Sequence, residues 1–108
     1  MSFHDSSLIH LTHSGQELHL TLGDITVEEQ QTTAVVVIEG IETITDNGVG
    51  IGTMTALTED GEVMQLSSNG HNVTFIVVWH GYQPRTHAIH VYEMFGQMLT
   101  MAVTLGTN

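Results

Sequence analysis

The feature that most constrains the fold of this chain is an alternation of apolar and polar residues that recurs from end to end. Leu18, Leu20 and Leu22 alternate with polar residues, and residues 99–105 carry Leu, Met, Val and Leu at the odd-numbered positions. Successive side chains of a β-strand point to opposite faces of a sheet, so this period of two predicts strands with one buried face.

Short turn signals separate the alternating segments. They are Ser14-Gly15, Asp46-Asn47-Gly48, Asp60-Gly61 and Asn69-Gly70. Gly and Asn tolerate the positive φ angles that tight hairpin turns require. The regular spacing of strands and turns predicts an all-β fold of about eight or nine antiparallel strands. Such strands either close into a barrel or fold as a sandwich.

Length and composition fit a single domain that spans residues 1–108. Apolar residues make up 41% of the 108 positions, which is enough for one hydrophobic core but not for two. Only 12% of the residues are charged. Disordered acidic tails lack this apolar content, so the chain is expected to fold.

Three strand segments carry further expectations. Thr33–Ile38 and Val73–His80 are apolar on both faces, which predicts that each lies centrally or is covered on both sides, with a second subunit as one possible cover. Val49–Leu57 alternates larger residues with Gly, Gly, Met and Ala. Small residues on one face allow a bend or an aromatic ring that rests on the strand, and Trp79 is the expected ring.

The charge balance excludes several classes of partner. The chain contains twelve Asp and Glu residues but no lysine, and Arg85 is its one permanently charged cation, so the formal net charge is −11. Nucleic-acid affinity comes largely from Lys and Arg side chains that neutralise phosphates, so a nucleic-acid binder is excluded. Anionic membranes are excluded for the same reason, whereas a basic protein surface would be attracted.

The acidic residues at apparent turns and loops are therefore the candidate partner-binding residues. They are Glu28, Glu29, Glu59, Asp60 and Glu62, with Tyr82 or Trp79 as an aromatic anchor. This set predicts a non-catalytic binding module that docks on a basic protein.

Two of the eight histidines form the best candidate pair for metal chemistry. His80 and His87 flank residues 81–86, and a symmetric hairpin there would place their Cβ atoms about 5 Å apart. Zinc requires three or four ligands, so two histidines do not complete a site, and no cofactor is predicted. The alternative hypothesis is a small-ligand or metal-binding barrel, catalytic or not, with this pair and Tyr92 near its mouth.

Catalytic motifs do not support an enzyme. Residues 48–52 read Gly-Val-Gly-Ile-Gly, but a phosphate loop is followed by a helix and usually a lysine, whereas a strand continues here. No nucleophile elbow is recognisable in the sequence. A third hypothesis is a structural homo-oligomer joined through strand edges or an apolar sheet face, because lysine, which commonly protects strand edges, is missing.

Localisation follows from short apolar runs and the start of the chain. The N-terminal residues have no signal-peptide pattern, which predicts a cytoplasmic protein. Ala34–Ile38 and Phe75–Trp79 are the longest apolar runs and are far too short to cross a bilayer. The chain contains no cysteine, so disulfides and thiolate chemistry are excluded.

Three segments together resemble a group of small bacterial domains. Phe3–Leu8 contains a His-Asp-Ser sequence, Leu18–Leu22 follows as a strand, and Val35–Ile41 is an aliphatic strand that ends near a glycine. Domains of this group open with His-Asp-Ser or His-Asp-Ala, and some are immunity proteins of polymorphic toxin systems. The resemblance covers less than half of the chain and implies an immunity-type or inhibitor-type role.

Overall fold

The computed structural model describes residues 3–106, which form nine β-strands and no helix. The strands are β1 (Ser6–Ser14), β2 (Glu17–Val27), β3 (Gln30–Glu39), β4 (Thr43–Asp46), β5 (Val49–Ile51), β6 (Asp60–Asn69), β7 (Asn72–Tyr82), β8 (Arg85–Phe95) and β9 (Thr100–Leu105). The predicted all-β class and strand number are confirmed. The described part of the chain has no helix that is long and apolar enough to cross a membrane.

All nine strands belong to one sheet with the order β5-β4-β8-β7-β6-β1-β2-β3-β9, and every neighbouring pair is antiparallel. Three pairings join strands that are distant in sequence, namely β1 with β6, β4 with β8 and β3 with β9. The order ends at β5 and at β9, so the sheet is not closed into a barrel. Of the two architectures that the sequence left open, the barrel is therefore not formed, and an open sheet or sandwich around one core fits the strand order.

The core is built from one face of the sheet. In β7, Val73, Phe75, Val77 and Trp79 are buried, whereas the residues between them are half-buried. The other strands add alternating residues on the same side, among them Leu18, Leu20, Leu22, Val36, Ile38, Tyr92 and Met94. Each fully buried Leu or Phe side chain contributes about 1.5–3 kcal/mol relative to an exposed one, so this one-sided burial accounts for the alternation in the sequence.

Three of the four predicted turn signals form turns. Gly15 connects β1 to β2 and Gly70 connects β6 to β7, both with positive φ. Asn47 and Gly48 connect β4 to β5, and both have positive φ, as a two-residue hairpin loop requires.

The prediction of a turn at Asp60-Gly61 is wrong, because both residues lie in β6. Asp60 pairs with His80 and Gly61 pairs with Trp79 on β7. A Cβ atom at Gly61 would lie 2.8 Å from Cζ3 of Trp79. The glycine therefore serves the close approach of an aromatic ring rather than a turn.

The expected strand Val49–Leu57 is also corrected, since β5 ends at Ile51. Gly50 and Gly52 have open space where a side chain would lie, so they do not hold the Trp79 ring. The Trp79 ring lies instead against Gly61 of β6.

The two segments that are apolar on both faces are not fully covered within residues 3–106. Val35 on β3 is 41% exposed, and Ile76 and Val78 on β7 are half-buried on the outer face. The central position predicted for β7 is observed, whereas β3 lies next to the edge strand β9. The outer face of the sheet therefore combines apolar and polar residues that remain accessible.

Candidate functional site

The predicted histidine pair forms near the turn of the β7–β8 hairpin. His80 and His87 are direct partners in the strand register, and their Nδ1 atoms lie 2.7 Å apart. The rings meet edge to face with centroids 4.9 Å apart. The hairpin is tighter than the sequence suggested, because Tyr82 pairs with Arg85 across a two-residue turn.

Glu62 on β6 extends this pair into a chain of three polar side chains. Its Oε1 lies 3.1 Å from Nε2 of His80. A neutral His80 that donates its Nε2 proton to the carboxylate accepts at Nδ1, so His87 is the donor within the pair. The two imidazoles are thereby held in one orientation by a carboxylate on the neighbouring strand.

Asp60 forms a second polar contact beside this chain. The Tyr82 hydroxyl donates a hydrogen bond to Oδ2 of Asp60. The backbone of Asp60 is held in turn by Thr58, whose hydroxyl donates to the Asp60 carbonyl at 3.0 Å and accepts from its N–H at 3.2 Å. The aromatic ring of Tyr82 is thus anchored at its polar end, although its side chain is 64% exposed.

These groups line an open depression of about 310 Å³ on the outer face of the sheet, which we call the acidic concavity. Its lining residues are Asp5, Ser7, Asp60, Glu62, His80, Tyr82, Arg85 and His87. Three carboxylates face one guanidinium there. The long-range pairing of β1 with β6 places Ser7 opposite Glu62, so residues from the start of the chain complete the depression.

A further acidic residue, on β2, lies beside the acidic concavity. Ser7 donates a hydrogen bond from Oγ to Oδ2 of Asp24 at 2.8 Å. Asp24 and Asp5 both adopt positive φ, which Asp tolerates better than most residues. A carboxylate that the sequence did not single out therefore lies beside the concavity.

The structure divides the predicted partner-binding residues into two groups. Asp60, Glu62 and Tyr82 line the acidic concavity, and Glu59 lies next to Asp60 and Tyr82 in an adjoining depression. Glu28 and Glu29 form the turn after β2, whereas Asp60 begins β6. Both β2 and β6 run antiparallel to β1, so the two acidic groups lie at opposite ends of the strands.

Trp79 and Tyr92 are not surface residues. Trp79 is 2% exposed, so it cannot be the aromatic anchor, and its Nε1–H donates to the Tyr92 hydroxyl at 2.9 Å inside the core. His80 and His87 lie on the outer face, and the proposed barrel mouth that joined them to Tyr92 is not formed. Adjacent strand residues point to opposite faces, so Trp79 and Tyr92 point into the core whereas His80 and His87 point outward.

The sequence does not predict the contacts of three polar residues. Asp5 and Ser7 give no local signal, because their place beside Glu62 depends on the β1–β6 pairing. The same holds for His90, whose Nδ1 lies 2.7 Å from Oδ1 of Asp46 on β4. Both partners of that pair are about four-fifths buried, and the contact holds β4 against β8.

A metal site finds no further support. Among residues 3–106, no three His, Cys, Asp or Glu side chains are arranged to hold a metal ion. The two candidate ligands His80 and His87 are bonded to each other through Nδ1.

Both tyrosines of the chain hold their protons more tightly when folded. The hydrogen bond to Asp60 raises the pKa of Tyr82 above its ordinary value of 10.0, and the negative charge of Asp60 adds to this effect. Burial raises the pKa of Tyr92, and the hydrogen bond from Trp79 opposes the shift in part.

We expect the free energy of unfolding to fall as the pH rises above about 10, because the unfolded chain releases tyrosine protons that the native state retains. A raised folded-state pKa adds stability below the unfolded-state pKa, and that stability is lost as the pH rises through the folded-state value. The chain has no lysine and no cysteine, so tyrosines dominate the titration in this range. Urea unfolding between about pH 8 and 11 measures how steeply the free energy of unfolding falls with pH. Tyr92→Phe should make this fall less steep than in wild type. A fall as steep as that of wild type in Tyr82→Phe/Tyr92→Phe would contradict the assignment to tyrosines.

Comparison of the chain with protein-family models, with curated proteins and with solved structures finds no match. A function for the chain must therefore be argued from its own residues, and the acidic concavity is the site considered for it.

Proposed function

We propose that this chain is a non-catalytic binding module, of an immunity or inhibitor type, that docks a basic surface of a partner protein onto the acidic concavity. The observation that carries the proposal is the convergence of Asp5, Asp60 and Glu62 around a depression whose rim bears the exposed ring of Tyr82. The cytoplasmic location predicted from the sequence is part of the same proposal.

Electrostatics supports a basic partner. The formal net charge of −11 gives the molecule a large excess of negative charge, and Arg85 is the one permanent cation that opposes it. Opposite potentials accelerate association and disfavour wrong partners, and carboxylates on a concave surface concentrate the field. A lysine or arginine side chain that enters the acidic concavity meets three carboxylates within one site.

The geometry of Tyr82 supports a defined contact rather than a diffuse attraction. Its ring is exposed while its hydroxyl is bonded to Asp60, so part of the entropy cost of ordering the side chain is already met before binding. Tyrosine is enriched among residues that dominate binding energies, and its ring face attracts cations. Tyr82 is therefore the expected aromatic anchor for an arginine or lysine of the partner.

The test compares two charge-reversal variants that differ only in position. Asp60→Lys/Glu62→Lys changes the acidic concavity, and Glu28→Lys/Glu29→Lys changes the opposite end of the strands; each raises the formal net charge by four, from −11 to −7. We expect the first variant to lose a captured basic protein from extract of the native host, with at least about tenfold weaker affinity in calorimetry, because like charges now face each other. The second variant should retain capture.

Controls separate docking from general charge and from misfolding. Circular dichroism and thermal unfolding should show both variants folded, and Asp60→Asn/Glu62→Gln should give an intermediate affinity. The affinity of the captured protein should also weaken as ionic strength rises, since salt screens exposed charges. Equal losses in the two reversal variants, or no basic protein among those captured, would reject the proposal.

A further inference from the structure

The two edges of the sheet are very different. β5 contains three residues, Val49–Ile51, whereas β9 contains six, Thr100–Leu105, and pairs with β3 in continuous register from Glu39↔Thr100 to Ala34↔Leu105. The β9 sequence Thr-Met-Ala-Val-Thr-Leu contains no charged residue and no proline. Long, regular and uncharged edges are the ones on which another strand can pair.

The backbone groups that β9 offers can be identified from its last hydrogen bond. The N–H of Gly106 donates to the carbonyl of Thr33 at 2.6 Å, so Gly106 directs its backbone groups toward β3. These directions alternate along an antiparallel strand. Met101, Val103 and Leu105 therefore direct one N–H and one C=O each toward the free edge.

The same three residues carry the incompletely covered apolar side chains of β9. Met101 and Val103 are half-buried against the core, and Leu105 is 40% exposed. Ala102 and Thr104 lie on the other face and are exposed. A further strand beside β9 would cover apolar side chains on the inner face and satisfy the free backbone groups at once.

We propose that this further strand is β9 of a second copy of the chain, paired antiparallel about a two-fold axis through Val103. In this register Val103 pairs with its own equivalent and Met101 pairs with the partner's Leu105. Each of these residue pairs exchanges two backbone hydrogen bonds, so every free group of Met101, Val103 and Leu105 is used. All inner-face contacts between the copies are apolar.

Charge and edge length favour a second copy over other occupants. The basic proteins that suit the acidic concavity gain nothing electrostatic from an uncharged strand. Two copies of charge −11 repel each other least where neither presents a charge, which is the condition at β9. Head-to-tail pairing of β9 with β5 would build open chains, but the three residues of β5 offer half the length of β9.

Sedimentation equilibrium from about 10 µM to about 1 mM tests the proposal, with an expected mass twice 11.8 kDa at the upper end. Ala102→Glu/Thr104→Glu should weaken the dimer at least about tenfold, because the register places position 102 opposite position 104 of the partner and two pairs of like charges result. Ala102→Lys/Thr104→Lys should weaken it similarly. A mixture of the two variants should recover the dimer.

A matched control and an independent readout separate pairing at β9 from general charge effects. Val49→Glu/Thr53→Glu adds the same charge as Ala102→Glu/Thr104→Glu, at one exposed position in β5 and one just after it. This variant should keep the dimer. In amide hydrogen exchange, Val103 and Leu105 should be protected in concentrated wild type and exchange fast in Ala102→Glu/Thr104→Glu. Ala102 and Thr104, whose N–H groups point to β3, should stay protected in wild type.

Three results would overturn the proposal. They are a monomer mass at about 1 mM, dissociation by the β5 control as strong as by the β9 variant, and masses above the dimer that grow with concentration. None of these measurements involves the acidic concavity, so the dimer can fail while the docking function stands, and the reverse also holds.

Discussion

Replacement of Gly96 by alanine is expected to destabilise the protein by about 3 kcal/mol or more, because the new methyl group would overlap backbone rather than a movable side chain. A Cβ atom at Gly96 would collide with the carbonyl oxygen of Gly40 and lie 3.2 Å from its carbonyl carbon. Gly40 is equally confined, since its φ is +78° and a Cβ there would lie 2.7 Å from the carbonyl carbon of Met98.

The two glycines lie where the segment after β3 crosses the segment after β8. The N–H of Glu42 donates to the Phe95 carbonyl at 2.8 Å, and the N–H of Gly96 donates to the His71 carbonyl at 3.2 Å. A methyl group can be accommodated only if these chains separate, which would break the hydrogen bonds that hold β4 and β8 in position.

Urea unfolding of Gly96→Ala against wild type gives the change in free energy. Gly50→Ala is the matched control, because Gly50 has no positive φ and a Cβ atom there would have no other atom within 4 Å. We expect the control to change stability by about 0.5 kcal/mol at most, as is usual for exposed sites. A loss below about 1 kcal/mol in Gly96→Ala would contradict the prediction, because it would mean that the two segments can move apart at little cost in free energy.

The second large effect is expected for Trp79→Ala, with a loss of about 4 kcal/mol or more. The substitution leaves a cavity in the core, since Trp79 is 2% exposed, and typical losses for Trp to Ala are about 3–5 kcal/mol. It also removes the donor to the Tyr92 hydroxyl, which is itself buried. An orphaned buried hydroxyl adds about 1–3 kcal/mol.

A cycle of conservative variants separates the two contributions. Trp79→Phe keeps an aromatic ring but leaves the Tyr92 hydroxyl without its donor, whereas Trp79→Phe/Tyr92→Phe removes both polar partners. We expect the double variant to be at least as stable as Trp79→Phe, because no unpaired polar group remains. Chemical unfolding of wild type, Trp79→Phe, Tyr92→Phe and the double variant tests this order, and a double variant markedly less stable than Trp79→Phe would contradict it.

Trp79 also connects the core to the acidic concavity. Its ring packs on Gly61, which lies between Asp60 and Glu62 on β6, and Trp79 itself precedes His80 on β7. Alternation then places Asp60, Glu62 and His80 together on the outer face. One aromatic contact inside the sheet therefore fixes the register that brings the polar residues together outside it.

Local patterns were sufficient for the elements that depend on neighbours along the chain. Alternation at residues 18–22 and 99–105 predicted parts of β2 and β9, because the direction of a side chain in a strand is set by the backbone next to it. The pairing of His80 with His87 was predictable for the same reason, since one short hairpin joins the two strands.

Local patterns failed where a distant contact decides the structure. Asp60-Gly61 has the composition of a turn, but Trp79 requires a residue without a side chain at that point of β6. The adjoining strand β1 brings Asp5 and Ser7 to the concavity from the beginning of the chain. No local pattern specifies which of nine strands becomes the neighbour of another.

By itself the sequence determined that the chain is an acidic, all-β domain with one-sided strands and a facing histidine pair. These properties follow from charge and from the period of two, both of which are carried by consecutive residues. The tertiary structure decided the order of the strands, the open edge at β9 and the separation of Glu28 and Glu29 from Asp60 and Glu62. It did so because strand pairing is settled by the packing of the whole core, in which residues far apart in sequence must fit together.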